Sequence, residues 1–556
     1  MSGMADLLFV NGSVYTVDAV RSWARAVAVT SGRIVAVGSD DDVRAWKGSH
    51  TEVVDLAGRM LLPGFQDAHI HPPGSGLETL RCNLSEIYTL KAYQRIIAGY
   101  AAADPDAPWI MGGGWSMDVF PGGTPRKEVL DAIVPDRPAF LTNRDGHGAW
   151  VNSRALELAG ITRDTPDPGD GRIERTVDGE PSGTLHEGAM ALIGAVAPVD
   201  TDEDYAAGLR AAQTYLHSLG ITAWQDAIVG LDDSSYRTLD TYARAAGNGE
   251  LTARVVGALW WDRYRGLEQI EGLVDARARA TVGRFAPTSV KIMQDGIIEN
   301  FTAATLTPYL DADGSPTENR GISFVDPELL KDAVTRLDAL GFQAHFHALG
   351  DRAVREALDA IEAALITNGP SDNRHHLAHI QIVHPDDIPR FHRLGAVANG
   401  QPLWAAHEGQ MDNLTIPFIG PERTSWQYPF ASLVRSGAVL AFGSDWSVSS
   451  PNPLWEMQVA VERRAPGQVS GSGEAITEVF IPEERIDLAT AIGAFTMGAA
   501  YVNHLDGVTG SVEVGKYADL TVIDQNLFEI PSAEIWKAGV ELTFVEGECV
   551  FDVSQG

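Results

Sequence analysis

Hydrophobic and polar positions follow different patterns in the middle of the chain and at its two ends. In the middle, short apolar runs alternate with segments such as 327–334, whose apolar residues recur every three to four positions. The runs predict buried strands and the segments predict amphipathic helices, an alternation typical of βαβ units. Eight strands are predicted, at residues 65–71, 221–227, 253–260, 289–295, 342–349, 376–381, 396–401 and 438–445. Eight strand–helix repeats indicate an α/β fold, a (β/α)8 TIM barrel, whose active groups lie at the carboxyl ends of the strands.

Both ends of the chain are rich in short apolar runs separated by turn residues. Asn11-Gly12 and Ser31-Gly32 each lie between two such runs, and both dipeptides predict tight hairpins. Similar runs occur at 519–524 and 542–551. We therefore expect a small composite β-sandwich built from residues 1–62 and 505–556. The TIM-barrel domain is expected to span residues 63–504.

The spacing of the predicted strands is uneven in one place. About 150 residues separate the first strand from the second, far more than one helix and its loops require. This insertion after barrel strand 1, roughly residues 75–205, is rich in glycine, proline and aromatic residues. We expect it to form a cap beside the mouth of the barrel.

Composition narrows the classes of partner. The 556 residues carry a formal net charge of −33, which disfavours nucleic acid or an anionic membrane surface as a partner. Two cysteines, Cys82 and Cys549, exclude a disulfide framework and a thiolate zinc site. The first residues lack the pattern of a secretory signal, and no apolar run reaches ~18 residues. A cytoplasmic protein is expected.

Candidate chemistry begins with His69 and His71 at the end of the first predicted strand. Side chains at i and i+2 of a strand point to one face, and imidazole is the commonest transition-metal ligand. A His-x-His pair alone is more often explained by surface or core histidines. The interpretation therefore depends on finding further ligands at the ends of other strands.

Further candidates fall on other predicted strands of the barrel. His347, His379 and Asp445 lie at strand ends, whereas His345 is expected to support another group or belong to the core. Lys291 lies in an apolar strand, where burial lowers the pKa of an amine. It can pair with an acid such as Asp295, or react as a neutral amine with CO₂ to give a carbamate that bridges two metal ions. A metal site needs three or more such ligands.

The motifs resemble those of the amidohydrolase superfamily and, within it, the YtcJ-like amidohydrolase family, which includes N-substituted formamide deformylases. The matching stretches run nearly end to end: 62–65 with His69 and His71, 145–147, 151–156, Lys291 with 295–296, 302–304, 347–353, His379 with Gln381, 443–446 and 510–520.

The resemblance implies a ligand set and a cofactor. His69 and His71 would bind one metal, carboxylated Lys291 would form the bridge, and His347 and His379 would bind a second metal. Asp445 would contact the first metal and the attacking water. One or two divalent ions are expected, Zn²⁺ first, with Fe²⁺, Mn²⁺ or Ni²⁺ as alternatives.

The expected reaction is hydrolysis of a non-peptide, amide-type C–N bond in a small molecule by metal-activated water, with Asp445 as general base and then general acid. An N-substituted formamide is one concrete substrate, and cyclic amides or N-acyl amino acids are alternatives. Two other classes stay open, a non-catalytic metal-binding protein and a metal-dependent isomerase or lyase. The resemblance also suggests a homodimer.

Eight side chains are expected to line the substrate pocket. The aromatic ones among them could instead pack the insertion onto the barrel. The pocket candidates are Trp115, His147, Glu299, Asn300, Phe301, His345, Trp404 and Trp446.

Overall fold

A computed structural model describes residues 4–231, 237–467 and 478–555. Its central sheet has eight parallel strands in sequential order, which confirms the eight predicted strands and a nearly closed barrel. The strands are β1 (Phe65–Ile70), β2 (Ile221–Val229), β3 (Arg254–Trp260), β4 (Phe285–Met293), β5 (Gln343–Ala348), β6 (His376–His379), β7 (Val397–Gly400) and β8 (Leu440–Phe442).

The seam between β8 and β1 closes just beyond the end of β8. The Asp445 N–H donates to the His69 carbonyl at 2.8 Å, and the His71 N–H donates to the Trp446 carbonyl at 3.1 Å. A Cβ atom on Gly443 would lie 2.4 Å from the His69 nitrogen, so this close approach requires glycine. The first and last strands are therefore joined at the level of the candidate ligands.

Helices surround the barrel and bury their apolar faces against it. In the helix Pro327–Ala339, Asp326 caps the first turn by accepting from two backbone N–H groups. The helix buries Leu330, Ala333, Val334 and Leu337, the spacing of one helical face. The helices from the first barrel helix onward are Asp202–Ser218, Thr238–Gly247, Ile270–Ala280, Pro327–Ala339, Asp351–Asn368, Ile388–Leu394, Ile416–Thr424, Phe430–Arg435, Pro453–Glu462, Leu488–Gly493 and Ala499–Val502.

The residues between β1 and the helix Asp202–Ser218 form a six-stranded mixed sheet with short helices. Its own apolar cluster extends to Ile297, Ile298 and Leu349 of the barrel loops, so the sheet packs beside the carboxyl ends of β4 and β5. The strands in sheet order are Gly171–Arg175, Pro181–Glu187, Gly148–Val151, Ala139–Asn143, Ile110–Trp115 and Cys82–Asn83. The helices are Pro72–Thr79, Leu90–Ala103, Lys127–Ile133, Ser153–Leu158 and Ala191–Gly194.

Strands from both ends of the chain form two further sheets. One apolar cluster contains Leu7 and Val27 of the first sheet together with Leu61, Leu520 and Phe544 of the second. The first sheet has the order Arg33–Gly38, Ala26–Thr30, Ala5–Val10 and Lys47–Asp55, with the short helix Asp40–Arg44 beside it. The second has the order Glu548–Asp552, Val540–Val545, Leu520–Ile523, Met60–Pro63, Ser13–Tyr15 and Trp23–Ala24. The domain boundaries at 62/63 and 504/505 stay predictions.

One predicted hairpin is present and the other is wrong. Ser31 and Gly32 have φ values of 49° and 74° and join two antiparallel strands, as the sequence predicts. The strands on either side of Asn11-Gly12 do not pair with each other but enter different sheets. The Asn11 N–H donates to the Asp40 carboxylate and the Gly12 N–H to the Arg25 carbonyl, so tertiary contacts redirect the chain at this turn.

No helix in the described ranges combines the length and the apolar character needed to cross a membrane.

Candidate metal centre

Asp445 is the point where the candidate ligands of the first and last strands meet. Its Oδ1 lies 2.8 Å from His71 Nε2 and 3.2 Å from His69 Nε2. Burial alone would raise the pKa of Asp445, but His69, His71 and His379 together hold it well below its usual range. The carboxylate is therefore charged at neutral pH and surrounded by imidazole nitrogens.

His379 brings a third strand to the same place. One ligand atom from each of His69, His379 and Asp445 can be chosen so that all three lie within 4.8 Å of one another. The His379 ring is buried, and among the described residues neither of its nitrogens has a hydrogen-bond partner. A buried polar group without a partner is costly, so this ring fits a ligand of an ion better than a structural group.

Two of these residues have a backbone conformation that L-residues seldom adopt. His379 has a φ of 76° and Asp445 a φ of 55°. Each left-handed non-glycine residue costs roughly 1–3 kcal/mol and persists only where the surroundings impose it. Such strain is common at functional sites, which agrees with the position of both residues at the mouth of the barrel.

Lys291 lies inside the barrel near the same histidines. Its Nζ is 3.4 Å from His69 Nε2, and the residue is 1% exposed. Burial lowers the pKa of Lys291 to about 7, although the charges of Asp445 and Asp226 act in the opposite direction. The amine is therefore substantially neutral at physiological pH, the form that a reaction with CO₂ requires.

His347 is held by Asp295 rather than by a backbone group. Its Nδ1 lies 3.3 Å from Asp295 Oδ1, and Asp295 also accepts from the N–H groups of Leu349, Gly350 and Ala304. This contact leaves Nε2 of His347 for a ligand, the usual arrangement of a metal-binding histidine with a carboxylate behind it. Asp295 thus orients His347 in the structure and does not serve as the main partner of Lys291.

His345 supports the site from inside the barrel. Its Nε2 lies 2.7 Å from His69 Nδ1, and its ring centroid is 3.9 Å from that of His376. His345 is fully buried, so it orients His69 and does not line an open pocket. The expectation of a supporting role agrees with this geometry, whereas the position assigned to it in the pocket does not.

His147 is the residue of the insertion that contacts the histidine cluster. Its ring centroid is 5.2 Å from that of His347, and its Nδ1 lies 2.9 Å from Glu187 Oε1. Burial lowers the pKa of His147, but the Glu187 charge outweighs this effect and raises it to about 9. Burial acts to raise the pKa of Glu187, but His147 and the hydrogen bonds from Asn300 and Thr302 lower it to about 2. The two groups form an ion pair at neutral pH.

The tryptophans predicted for the pocket lie in three different environments. Trp404 stacks on His379 with a centroid distance of 5.3 Å and an interplanar angle of 9°. Trp446 follows Asp445 directly and contacts the ring of Tyr215 at 5.4 Å. Trp115 instead packs in the interior of the insertion sheet, where its indole N–H donates to the Leu141 carbonyl. Trp115 is fully buried, so packing accounts for it.

Three consecutive residues predicted to line the pocket lie on the loop after β4, and they have different contacts. Asn300 donates to Glu187 at 3.0 Å, and Phe301 contacts the ring of Phe418 at 5.1 Å. Glu299 accepts from Thr415, and burial raises the pKa of Glu299 to about 7. Asn300 therefore binds a side chain of the insertion, and Phe301 contributes an apolar surface.

Two functional neighbours were missed by sequence reasoning. Asp67 accepts from the His69 N–H at 3.0 Å and from the Ser444 hydroxyl at 2.6 Å, so it ties β1 to the turn after β8. Its position two residues before His69 was a signal that could have been used. Glu187 gave no such signal, because its partners come from distant parts of the chain.

Comparisons with known proteins identify the family of this chain. The model of the amidohydrolase family matches residues 52–551. Protein LONG AFTER FAR-RED 3 of Arabidopsis thaliana is 32% identical over 99% of this chain and 92% of its own length. Putative amidohydrolase YtcJ of Bacillus subtilis is 29% identical over 98% of this chain and 99% of its own. An N-substituted formamide deformylase of Arthrobacter pascens is 27% identical over 98% of both chains. The predicted resemblance is confirmed.

A solved structure gives the same fold. An uncharacterized metal-dependent hydrolase from Pyrococcus horikoshii OT3 superposes with a TM-score of 0.73 at 23% identity, covering 95% of this chain and 99% of that one. At this identity the likeness establishes the fold alone.

Proposed function

This chain belongs to the amidohydrolase family, and from that premise we propose that it is a metal-dependent hydrolase of a non-peptide carbon–nitrogen bond in a small molecule. The observation that carries the proposal is the convergence of imidazole and carboxylate donors at the carboxyl ends of β1, β6 and β8. The two ring nitrogens of His379 support the proposal, because no side chain or backbone group among the described residues makes a hydrogen bond to them.

The donor set fits divalent metal. His69, His71 and Asp445 would hold one ion, and His347 and His379 a second if two are bound. Carboxylated Lys291 would bridge them. Its neutral amine adds to CO₂, a new N–C bond forms, and one proton is released. Zn²⁺ suits this mixture of nitrogen and oxygen ligands, and Fe²⁺, Mn²⁺ or Ni²⁺ are alternatives. When bound, such an ion polarises a carbonyl and makes water a nucleophile at neutral pH.

Asp445 has the properties of the group that moves the proton. The surrounding histidines keep Asp445 ionised at neutral pH, and the carboxylate is the form that can accept a proton from the attacking water. It then returns that proton to the nitrogen that leaves when the C–N bond breaks. His345 fixes His69 through Nδ1, which leaves His69 Nε2 facing the Asp445 carboxylate and the proposed ion.

The charges around the site favour a neutral substrate. The cationic side chains that the insertion brings to the mouth already have acidic partners. His147 is paired with Glu187, and Arg144 lies 3.4 Å from Glu408. A free carboxylate on the substrate would have to displace one of these partners, so an N-acyl amino acid is a poorer candidate than an uncharged amide.

Among uncharged amides, an N-substituted formamide is the most concrete candidate. The stacked ring of Trp404 and the ring of Phe301 offer apolar surface for an aryl or alkyl substituent. The formamide deformylase of Arthrobacter pascens supports this choice, and a cyclic amide remains the alternative within the same reaction class.

The experiment is a hydrolysis screen on metal-replete protein. It would use N-substituted formamides, cyclic amides and N-acyl amino acids, with release of amine or carboxylate as the readout. We expect turnover of neutral amides and at least tenfold lower kcat/KM for N-acyl amino acids. Turnover of N-acyl amino acids alone would overturn the substrate assignment. Isomerisation or elimination without hydrolysis would overturn the reaction class.

We also propose that the β-sandwich is a separate domain and that the insertion forms a cap beside the mouth of the barrel. A homodimer and a cytoplasmic location are proposed as well.

A further inference from the structure

We propose that His147 and Glu187 act together in the reaction: His147 contacts the carbonyl oxygen of the bound substrate, and Glu187 positions the His147 ring. The inference rests on the proposed function and extends it, because it gives the insertion a direct part in the chemistry. Glu187 is the positioning residue of the pair and His147 the group that touches substrate.

Glu187 is the centre of a small network of hydrogen bonds. Its Oε1 accepts from His147 Nδ1 at 2.9 Å, Asn300 Nδ2 at 3.0 Å and Thr302 Oγ1 at 2.8 Å. A carboxylate can only accept, so the proton of this contact is on His147 Nδ1. Nε2 is then the ring nitrogen that remains for another partner. Glu187 therefore keeps a proton on Nδ1 and fixes the direction of the ring.

The backbone holds the two residues together as well. The Glu187 N–H donates to the His147 carbonyl at 3.1 Å, and the His147 N–H donates to Asp145 Oδ1 at 3.0 Å. Glu187 itself has a φ of 50° and a ψ of −129°, a conformation that costs free energy in a non-glycine residue. Glu187 thus combines a strained backbone with a carboxylate that accepts from three side chains, a combination typical of a functional residue.

The loop after β4 is shaped to receive Glu187. A Cβ atom on Gly296 would lie 2.6 Å from Glu187 Oε1 and 1.9 Å from Thr302 Oγ1. Only glycine permits this approach. Gly296, Asn300 and Thr302 lie on the loop that follows β4, the strand of Lys291. The residues that contact Glu187 therefore come directly after the strand of the candidate bridging ligand.

The ring of His147 lies where a substrate would reach it. Its centroid is 5.2 Å from that of His347, and its side chain is 12% exposed, whereas His379 and His69 are 1% exposed. A ring fixed beside a candidate metal ligand and still accessible is placed to meet the oxygen on which negative charge develops. A preorganised donor of this kind is worth roughly 100–1,000-fold in kcat.

The test is steady-state kinetics of His147→Gln, Glu187→Gln and the double variant, each with its metal content measured. We expect His147→Gln to lower kcat about 100-fold or more with KM changed less than about threefold. Glu187→Gln should lower kcat about 10–100-fold. The double variant should be no slower than His147→Gln, because Glu187 acts through His147. Multiplicative losses, or two variants within threefold of the wild type, would overturn the proposal.

Chemical rescue separates a role in the reaction from a role in packing. Added imidazole should raise the kcat of His147→Ala at least fivefold and leave Asp445→Asn unchanged. Glu174→Gln is the matched control, since Glu174 is a carboxylate of the same sheet that accepts from Arg172 and lies 3.2 Å from His186 Nε2. Its kcat should stay within twofold of the wild type. Equal losses in Glu174→Gln and Glu187→Gln would assign the pair to folding and contradict the inference.

A binding measurement keeps the inference testable if the wild type hydrolyses no amide. Acetohydroxamate presents a carbonyl oxygen, and its affinity for the metal-loaded proteins can be measured by calorimetry. We expect its Kd to rise at least tenfold in His147→Gln and to stay within twofold in Glu174→Gln. An unchanged Kd in His147→Gln would overturn the inference, whereas absence of amide turnover with the expected Kd change would overturn only the proposed function.

Discussion

The interior of the barrel holds two polar clusters that differ in how their hydrogen-bonding groups are satisfied. In the lower cluster, Gln225 donates to Gln343 and to Asn503 at 3.0 Å, and His376 Nε2 lies 2.9 Å from Gln225 Oε1. In the metal-site cluster near the mouth, His379 has two buried nitrogens without a partner. The metal-site cluster consists of His69, His71, Lys291, His347, His379 and Asp445.

The difference distinguishes a structural network from a site for a ligand. Both polar atoms of the Gln225 side chain have partners within the protein, although Asn503 Nδ2 has none among the described residues. The centre of the lower cluster is therefore satisfied without a ligand. The metal-site cluster gathers imidazoles around one carboxylate and one buried amine. Both ring nitrogens of His379 in it have no hydrogen-bond partner among the described residues. His345 joins the two, with His69 on one side and His376 on the other. Substitutions should therefore change stability in one cluster and metal or activity in the other.

The largest expected effect is loss of turnover in Asp445→Asn. An amide cannot accept the proton of the attacking water, and it keeps nearly the same shape and one oxygen ligand. We expect kcat to fall at least about 1,000-fold while most of the bound metal is retained. Metal analysis and kinetics on the same preparation check this. Retained activity would remove Asp445 from the proton transfer.

Lys291→Ala should lower metal content, because it removes the group proposed to bridge the ions. We expect loss of half or more of the bound metal and partial recovery of metal and activity with formate, acetate or propionate. A short carboxylate can occupy the space of the missing carbamate. Full metal content and full activity in Lys291→Ala would contradict the bridging role.

The lower cluster should respond in the opposite way. Gln225→Leu leaves groups of Gln343 and His376 without partners, so we expect the free energy of unfolding to fall by about 2–4 kcal/mol. Metal affinity should stay within threefold.

In metal-free protein, Lys291→Met should raise the free energy of unfolding by about 1 kcal/mol, since a buried amine is replaced by an apolar chain. Urea unfolding measures both values, and equal destabilisation by the two substitutions would erase the distinction between the clusters.

A pH dependence of stability is expected from the ion pair of His147 and Glu187. The folded pKa of His147 is raised to about 9, above its ordinary value of 6.5. Its contribution to stability is therefore complete below pH 6.5 and is lost as pH rises through 9. We expect metal-free wild type to lose about 1–3 kcal/mol over this range relative to His147→Gln. Parallel stability curves for the two proteins would contradict the pairing.

Sequence reasoning predicted most of the frame of the site. The strands that carry His69, Lys291, His347 and His379 could be located because buried parallel strands are continuous apolar runs bounded by turn residues. Strand ends of a barrel meet at one face, so their ligands could be grouped without coordinates. His345 lies two residues further from the strand end than His347, which agrees with its expected role as a supporting or core residue.

The parts that sequence reasoning missed depend on contacts between distant segments. Asn11-Gly12 satisfies the local rule for a hairpin, but Asp40 and Arg25 bind its backbone and send the flanking strands to different sheets. Trp115 is predicted to line the pocket, whereas the insertion sheet buries it. Glu187 acquires its function only when the loop after β4 folds against it.

The most direct test of the central claim is elemental analysis of the purified wild-type protein, before and after chelation, with hydrolysis of the best substrate measured on each sample. We expect one to two equivalents of a divalent metal per chain, loss of activity on removal, and recovery when Zn²⁺ or the native ion is restored. A protein that binds less than about 0.1 equivalent after reloading, or that hydrolyses its substrate equally well without metal, would contradict a metal centre at His69, His71, His379 and Asp445.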